Sequence, residues 1–212
     1  MIAGTVYGVA LNDREQHQHL ATAFQGPPYG KAPQRPVLYI KPRNCFVGSG
    51  GSVYLAPDLK QVEISATLGL LIGRDACRVA PAVALDHVAG VCLAIDISEP
   101  QSGFYRPPIR QRCRDGFLPL GTPVPFDASL LQSNIETIVN DTRVHIWSPQ
   151  RLVRDAASLI ADMTAFMTLA AGDLLLVGLP GDAPQAKSSD RIVIRARSLP
   201  DLSVQLHSET PA

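Results

Sequence analysis

The chain has no net charge: in 212 residues, 19 Lys and Arg stand against 19 Asp and Glu. Without an overall field it has little to hold a nucleic-acid backbone or an anionic membrane surface, so neither is expected as a partner. It contains no apolar run of about 18 residues, the length a membrane-spanning helix needs. Its first residues, Met1 to Tyr7, carry neither the basic stretch nor the long apolar stretch of a secretory leader. Its four cysteines, Cys45, Cys77, Cys92 and Cys113, include no CxxC pair, which excludes a zinc ribbon. Reduced thiols in a cytoplasmic protein are the expectation.

What is present is an apolar, turn-rich chain. Hydrophobic residues make up 46%, enough for a core and too many for disorder. With 16 Gly and 18 Pro, the chain suits many short elements joined by turns rather than a helical bundle. Strands are expected near 2–10, 36–41, 62–73, 90–97, 134–140, 143–147, 174–178, 190–197 and 202–206. In the stretch 62–73, Ile64, Ala66 and Leu68 alternate with Glu63, Ser65 and Thr67, which predicts one apolar and one polar face. Asn12, with Glu15 three residues on, reads as the cap of a short helix. Ser148-Pro149 reads as the start of a long amphipathic helix carrying Leu152, Ala156, Leu159, Ile160, Met163, Phe166 and Met167. Gly48 to Gly51 is read as a turn, and residues 99–121 as a long irregular, functional stretch. The expected class is mostly β with a few helices (α+β). One domain is expected over 1–212, with 1–40 forming an N-terminal strand and a lid-like helix packed on it.

A set of segments in order resembles the fumarylacetoacetate hydrolase family. It comprises Ile40-Lys41-Pro42, Leu71-Ile72-Gly73, Gly90 through Asp96-Ile97-Ser98, Arg114-Asp115-Gly116-Phe117-Leu118-Pro119-Leu120-Gly121, Val139-Asn140, Leu169 through Asp173, Gly178-Leu179-Pro180 and Ser189-Asp190. The opening Gly4 to Asn12, with Phe104 to Pro107 and Cys113 to Phe117, is similar to the family's isomerase/decarboxylase branch in 4-hydroxyphenylacetate catabolism. The resemblance implies a mixed β-sandwich roll. It also implies decarboxylation of 5-carboxymethyl-2-oxo-hex-3-ene-1,7-dioate and isomerisation of 2-hydroxyhepta-2,4-diene-1,7-dioate.

The resemblance further implies a divalent cation, Mg²⁺ or Mn²⁺, held by a Glu-x-Glu pair and an Asp. Those positions fall here on Ser65, Thr67 and Asp96. One carboxylate of three remains, so weak cation binding or none is expected; Glu63, on the same strand face as Ser65, is a further candidate ligand. The His that serves hydrolytic members as a base aligns with Gln16. His17 and His19 lie nearby and read as exposed, so hydrolysis is not expected. Leu179 stands where the family's Gly-Thr-Pro turn offers a hydroxyl. Arg106, Arg110, Arg112 and Arg114, with Tyr105 between them, form a cationic loop suited to a 2-oxo di- or tricarboxylate or to a subunit interface. Asp96 and Arg112 are the candidate catalytic residues. Arg106, Arg110, Arg114, Tyr105 and Lys41, with Arg43 beside it, are candidates for substrate binding. Two readings stand: an enzyme subunit of the decarboxylase/isomerase type, homodimeric or paired, and a metal-free partner that stabilises or completes a catalytic homologue.

Overall fold

In a computed structural model of the chain, residues 2–101, 103, 104 and 106–209 are described. They run β1 (Val6–Ala10), α1 (Arg14–His19), β2 (Val37–Lys41), β3 (Phe46–Gly48), β4 (Gly51–Leu55), β5 (Val62–Ile72), α2 (Pro81–Ala84), β6 (Val88–Ser98), α3 (Ile109–Arg112) and β7 (Leu118–Leu120). The order continues β8 (Val124–Pro125), β9 (Ile135–Val139), β10 (Thr142–Trp147), α4 (Ala156–Thr164), β11 (Leu174–Leu176), β12 (Gln185–Ala186), β13 (Arg191–Ala196) and β14 (Leu202–Ser208). The mostly-β expectation holds. A nine-stranded sheet is ordered β2-β1-β11-β5-β6-β7-β3, with β12 on β5 and β8 on β6. A five-stranded sheet is ordered β10-β9-β13-β14-β4.

The long antiparallel pair β5–β6 is the spine, with Glu63 opposite Ser98 and Ser65 opposite Asp96. The alternation in β5 sends Ile64, Ala66, Leu68 and Leu70 into a core shared with Ile192, Ile194, Leu202 and Leu206 of the second sheet and with Leu159, Ile160 and Met163 of α4. Burying a side chain of this size stabilises by about 1.5–3 kcal/mol, so this layer holds the two sheets together. The opposite face of β5 is also covered: Ser65 and Thr67 are buried, and Glu63 is half-buried. A polar strand face taken out of water this way marks a built cavity rather than a solvated surface.

Several expected elements shift. Asp13, not Asn12, caps α1: its Oδ1 accepts from the Glu15 and Gln16 amides at 2.9 and 3.1 Å. Asn12 is turned inward, where its Nδ2 donates to the Val177 and Arg154 carbonyls at 2.8 and 3.0 Å. The expected long helix from Ser148 is broken. Ser148 caps only a 3₁₀ turn at Pro149–Arg151, and α4 starts afresh at Ala156 with Asp155 accepting from the Ser158 amide at 2.8 Å. The cause is tertiary: Asn12 Oδ1 takes the Arg154 amide at 2.9 Å, and Leu152 is extended. Gly48 to Gly51 is a turn, as expected, but it joins two strands, β3 and β4, that the pattern does not reveal. The β9–β10 hairpin turns on Asn140 and Asp141, both at positive φ, as the short polar turn predicts. Among the described residues no helix is long and apolar enough to cross a membrane.

Candidate functional site

Asp96 is fully buried on β6. A lone carboxylate there would be untenable, and three side chains answer it. Arg112 Nη1 donates to Oδ1 at 2.8 Å, Lys41 Nζ lies 3.0 Å from the same oxygen, and the Tyr39 hydroxyl donates to Oδ2 at 2.6 Å. Arg112 also lies over the Tyr39 ring, 5.3 Å from its centroid. Tyr39 reaches Asp96 because β2 pairs with β1 so that Tyr39 stands opposite Gly8, and a Cβ at Gly8 would overlap the Tyr39 ring. Glycine at position 8 is thus what lets the phenol lie across the sheet.

Lys41 is the other anchor. It is buried, and its ammonium donates to three carbonyls: Arg112 at 2.6 Å, Phe117 at 2.9 Å and Ile97 at 3.1 Å. Burial lowers its pKa, and Asp96 opposes that shift. Burial, then the Asp96 carboxylate, raises the Tyr39 pKa well above its ordinary value, so the phenol keeps its proton. The cluster sets two buried cations against one carboxylate.

Beside this cluster is a cavity of about 210 Å³ under α1, its wall including Glu63, Ser65, Arg112, Gln16, Gln101 and Leu179. The start of α1 is fixed from behind: Trp147 Nε1 donates to Asp13 Oδ2 at 2.7 Å, and Arg151 Nη2 donates to Asp13 Oδ1 at 3.0 Å. Gln16 packs against Gly181, where a Cβ would collide with the Gln16 Cβ. Burial raises the Glu63 carboxyl above its ordinary pKa, opposed by Arg112 and by the Ser98 hydroxyl, which donates to Oε2 at 3.4 Å.

The structure sorts the sequence-derived candidates. Asp96, Arg112 and Lys41 come together, but Lys41 is committed to carbonyls and to Asp96 and is not on the cavity wall. Arg114 turns away to Glu99, with Nε and Nη2 donating to Oε1 at 2.8 and 2.5 Å. Arg110 is exposed near Asp58. Arg106 lines a neighbouring apolar groove that shares Arg112 with the cavity. Arg43 donates to the Ala3 carbonyl at 3.0 Å on the exposed surface. Tyr105 lies outside the described residues. His17 is bound to the Leu11 carbonyl at 2.6 Å, while the exposed His19 reaches the cavity rim. Tyr39 and Gln101 were not foreseen; the first needs the β1–β2 register, and the second sits in the irregular stretch where no periodicity speaks.

The residues at the implied metal positions do not suit a divalent cation. Hard cations take several oxygens, anionic ones foremost. Thr67 Oγ1 is spent on the Gly178 carbonyl at 2.5 Å, Ser65 offers a neutral hydroxyl, and both Asp96 oxygens are engaged by Arg112, Lys41 and Tyr39. Glu63 bonds to Ser98 instead of joining them.

Comparison with known proteins agrees with the fold. The chain is 38% identical over 199 residues to the 4-hydroxyphenylacetate degradation bifunctional isomerase/decarboxylase of Salmonella dublin, covering 94% of this chain and 46% of that protein. It therefore spans about half the length of the curated relatives it matches. The 5-carboxymethyl-2-hydroxymuconate delta-isomerase of Mycobacterium smegmatis shares the fold, with TM-score 0.82 at 23% identity over 100% of this chain and 81% of that one. So does fumarylpyruvate hydrolase from Pseudomonas aeruginosa, a structure in complex with Mn²⁺ and pyruvate, with TM-score 0.79 at 22% identity over 97% and 90%. Residues 5–207 match the domain described as fumarylacetoacetate (FAA) hydrolase C-terminal, and the chain belongs to that family.

Proposed function

We propose that this chain is one half of an isomerase/decarboxylase of 4-hydroxyphenylacetate catabolism, and that its cavity takes an anionic 2-oxo acid or its enol. The substrates in view are 5-carboxymethyl-2-oxo-hex-3-ene-1,7-dioate and 2-hydroxyhepta-2,4-diene-1,7-dioate. The observation that carries this reading is Arg112: a buried guanidinium, held on Asp96, on the wall of a lidded cavity. Decarboxylation and keto–enol isomerisation both build negative charge on the 2-oxo oxygen, and a fixed cation in a dry site stabilises that charge without reorganising. Hydrolysis would also need a base to activate water, and Gln16 stands where that base would be. The likeness to the Salmonella dublin protein supports the substrate class.

A second reading has its own support. The engagement of both Asp96 oxygens and the neutral Ser65 and Thr67 favour a partner half that binds without turning over, while a homologous half carries the chemistry. Either half would assemble as a homodimer or with that homologue. Four free thiols suit a reducing cytoplasm. The test is turnover of the two named acids by the purified chain, alone and mixed with a homologous Glu-x-Glu half. Activity of the chain alone that is lost in Arg112→Met establishes the enzyme reading. Activity only in the mixture establishes the partner reading.

A further inference from the structure

We propose that the cavity under α1 binds a small carboxylic acid without a metal ion, and that the Arg112 guanidinium supplies the charge that holds it. The inference rests on the proposed function for the ligand class and adds how the ligand is held.

The first ground is the state of Asp96. A cation entering here would have to displace Arg112, Lys41 and Tyr39 from a fully buried carboxylate, and Ser65 and Thr67 would give it only hydroxyl oxygens. Thr67 is already committed to Gly178. The second ground is charge. Arg112 and Lys41 share the buried Asp96 carboxylate, and the one further acid on the cavity wall, Glu63, attracts Arg112 from a distance without pairing with it. Lys41 is surrounded by its three carbonyls, whereas Arg112 opens onto the cavity, so Arg112 is the cation an added anion can reach. Glu63 faces the same space from β5 but makes no ion pair among the described residues.

The third ground is independent of charge. Gln16 Oε1 and both amide atoms of Gln101 are buried without a hydrogen-bond partner among the described residues, and both side chains are on the cavity wall. Buried polar atoms are nearly always paired, so orphans converging on one cavity mark groups that a ligand completes. An enol carboxylate matches them: its oxygens accept from Arg112 and an amide NH₂, and its enol hydroxyl donates to an amide oxygen. A cavity of about 210 Å³ is below the roughly 300–1,000 Å³ of drug-sized ligand pockets, which suits a small acid.

The test is isothermal titration of the full chain with 2-oxoglutarate, a stable 2-oxo dicarboxylate, in EDTA and again with Mn²⁺. Binding in EDTA is expected, with a Kd that Mn²⁺ changes by no more than about twofold. Arg112→Met leaves Asp96 paired with Lys41 and should weaken binding about tenfold or more. Gln101→Leu, away from the buried ion pairs, should weaken it by roughly three- to tenfold and serves if Arg112→Met does not fold. Binding that appears only with Mn²⁺ overturns the metal-free inference and leaves the oxo-acid reading standing. Binding in EDTA that neither folded variant weakens also overturns it. No binding of 2-oxoglutarate under either condition overturns the oxo-acid reading as well.

Discussion

Replacing Asp96 by Asn would leave Lys41 and Arg112 buried with no anion between them. Removing one partner of a buried ion pair costs about 3–5 kcal/mol, so Asp96→Asn should lower the urea midpoint sharply, as followed by circular dichroism. Glu63→Gln should act with the opposite sign. Burial raises the Glu63 pKa, so the folded chain holds that proton more tightly than the unfolded one. The stabilisation that comes from this proton is complete below the ordinary carboxylate pKa and is lost as pH rises through the raised one. At neutral pH the wild type therefore bears a cost that the variant does not. Arg112 on α3, Asp96 and Ser98 on β6 and His19 on α1 face or approach this carboxyl, and the first three also modulate its pKa. The variant should be the more stable chain at pH 7.5, and its advantage should vanish near pH 4; melting temperatures of the two proteins at both pH values decide it. At this scale the sequence was informative about residue type: alternation along 62–73 put Glu63, Ser65 and Thr67 on one face of β5, where they stand. It was silent on Tyr39, because the contact with Asp96 depends on pairing between strands rather than on neighbours in the chain.

Capping decides where elements begin. Asp155→Ala should cost about 0.5–2 kcal/mol through α4, whereas Ser148→Ala should change α4 little, because Ser148 serves a separate turn. Denaturant midpoints of the two variants compare them directly. Periodicity located β5, β6, the β9–β10 hairpin and the apolar residues of α4, since each signal lies within a dozen residues. It ran α4 together with the preceding turn because the break is imposed from outside, by the Asn12 side chain on the Arg154 amide. The short strands β3 and β4 escaped for a related reason: three to five residues beside a glycine turn carry too little alternation, and their pairing partners, β7 and β14, are far away in sequence.

Across the whole molecule, equal numbers of acids and bases leave no net repulsion between copies near pH 7. Solubility should pass through a minimum there and recover on either side, which static light scattering across pH 6–9 would register; a flat profile would contradict it. The neutrality conceals an uneven arrangement, with Arg112 and Lys41 gathered on the buried Asp96 and other arginines answered one by one at the surface, as Arg114 is by Glu99 and Arg143 by Glu136. Lys41 gives this arrangement a mechanical consequence. Its three carbonyl partners lie on both sides of Arg110, with Ile97 before it and Arg112 and Phe117 after it. Arg110 is exposed, which makes the bond after it the expected point of attack for trypsin. A chain cut there should still migrate as one particle under native conditions and separate into two fragments only in denaturant, because the Lys41 ammonium ties the pieces at a seam that the β1–β11, β5–β11 and β4–β14 pairings and the shared core also close.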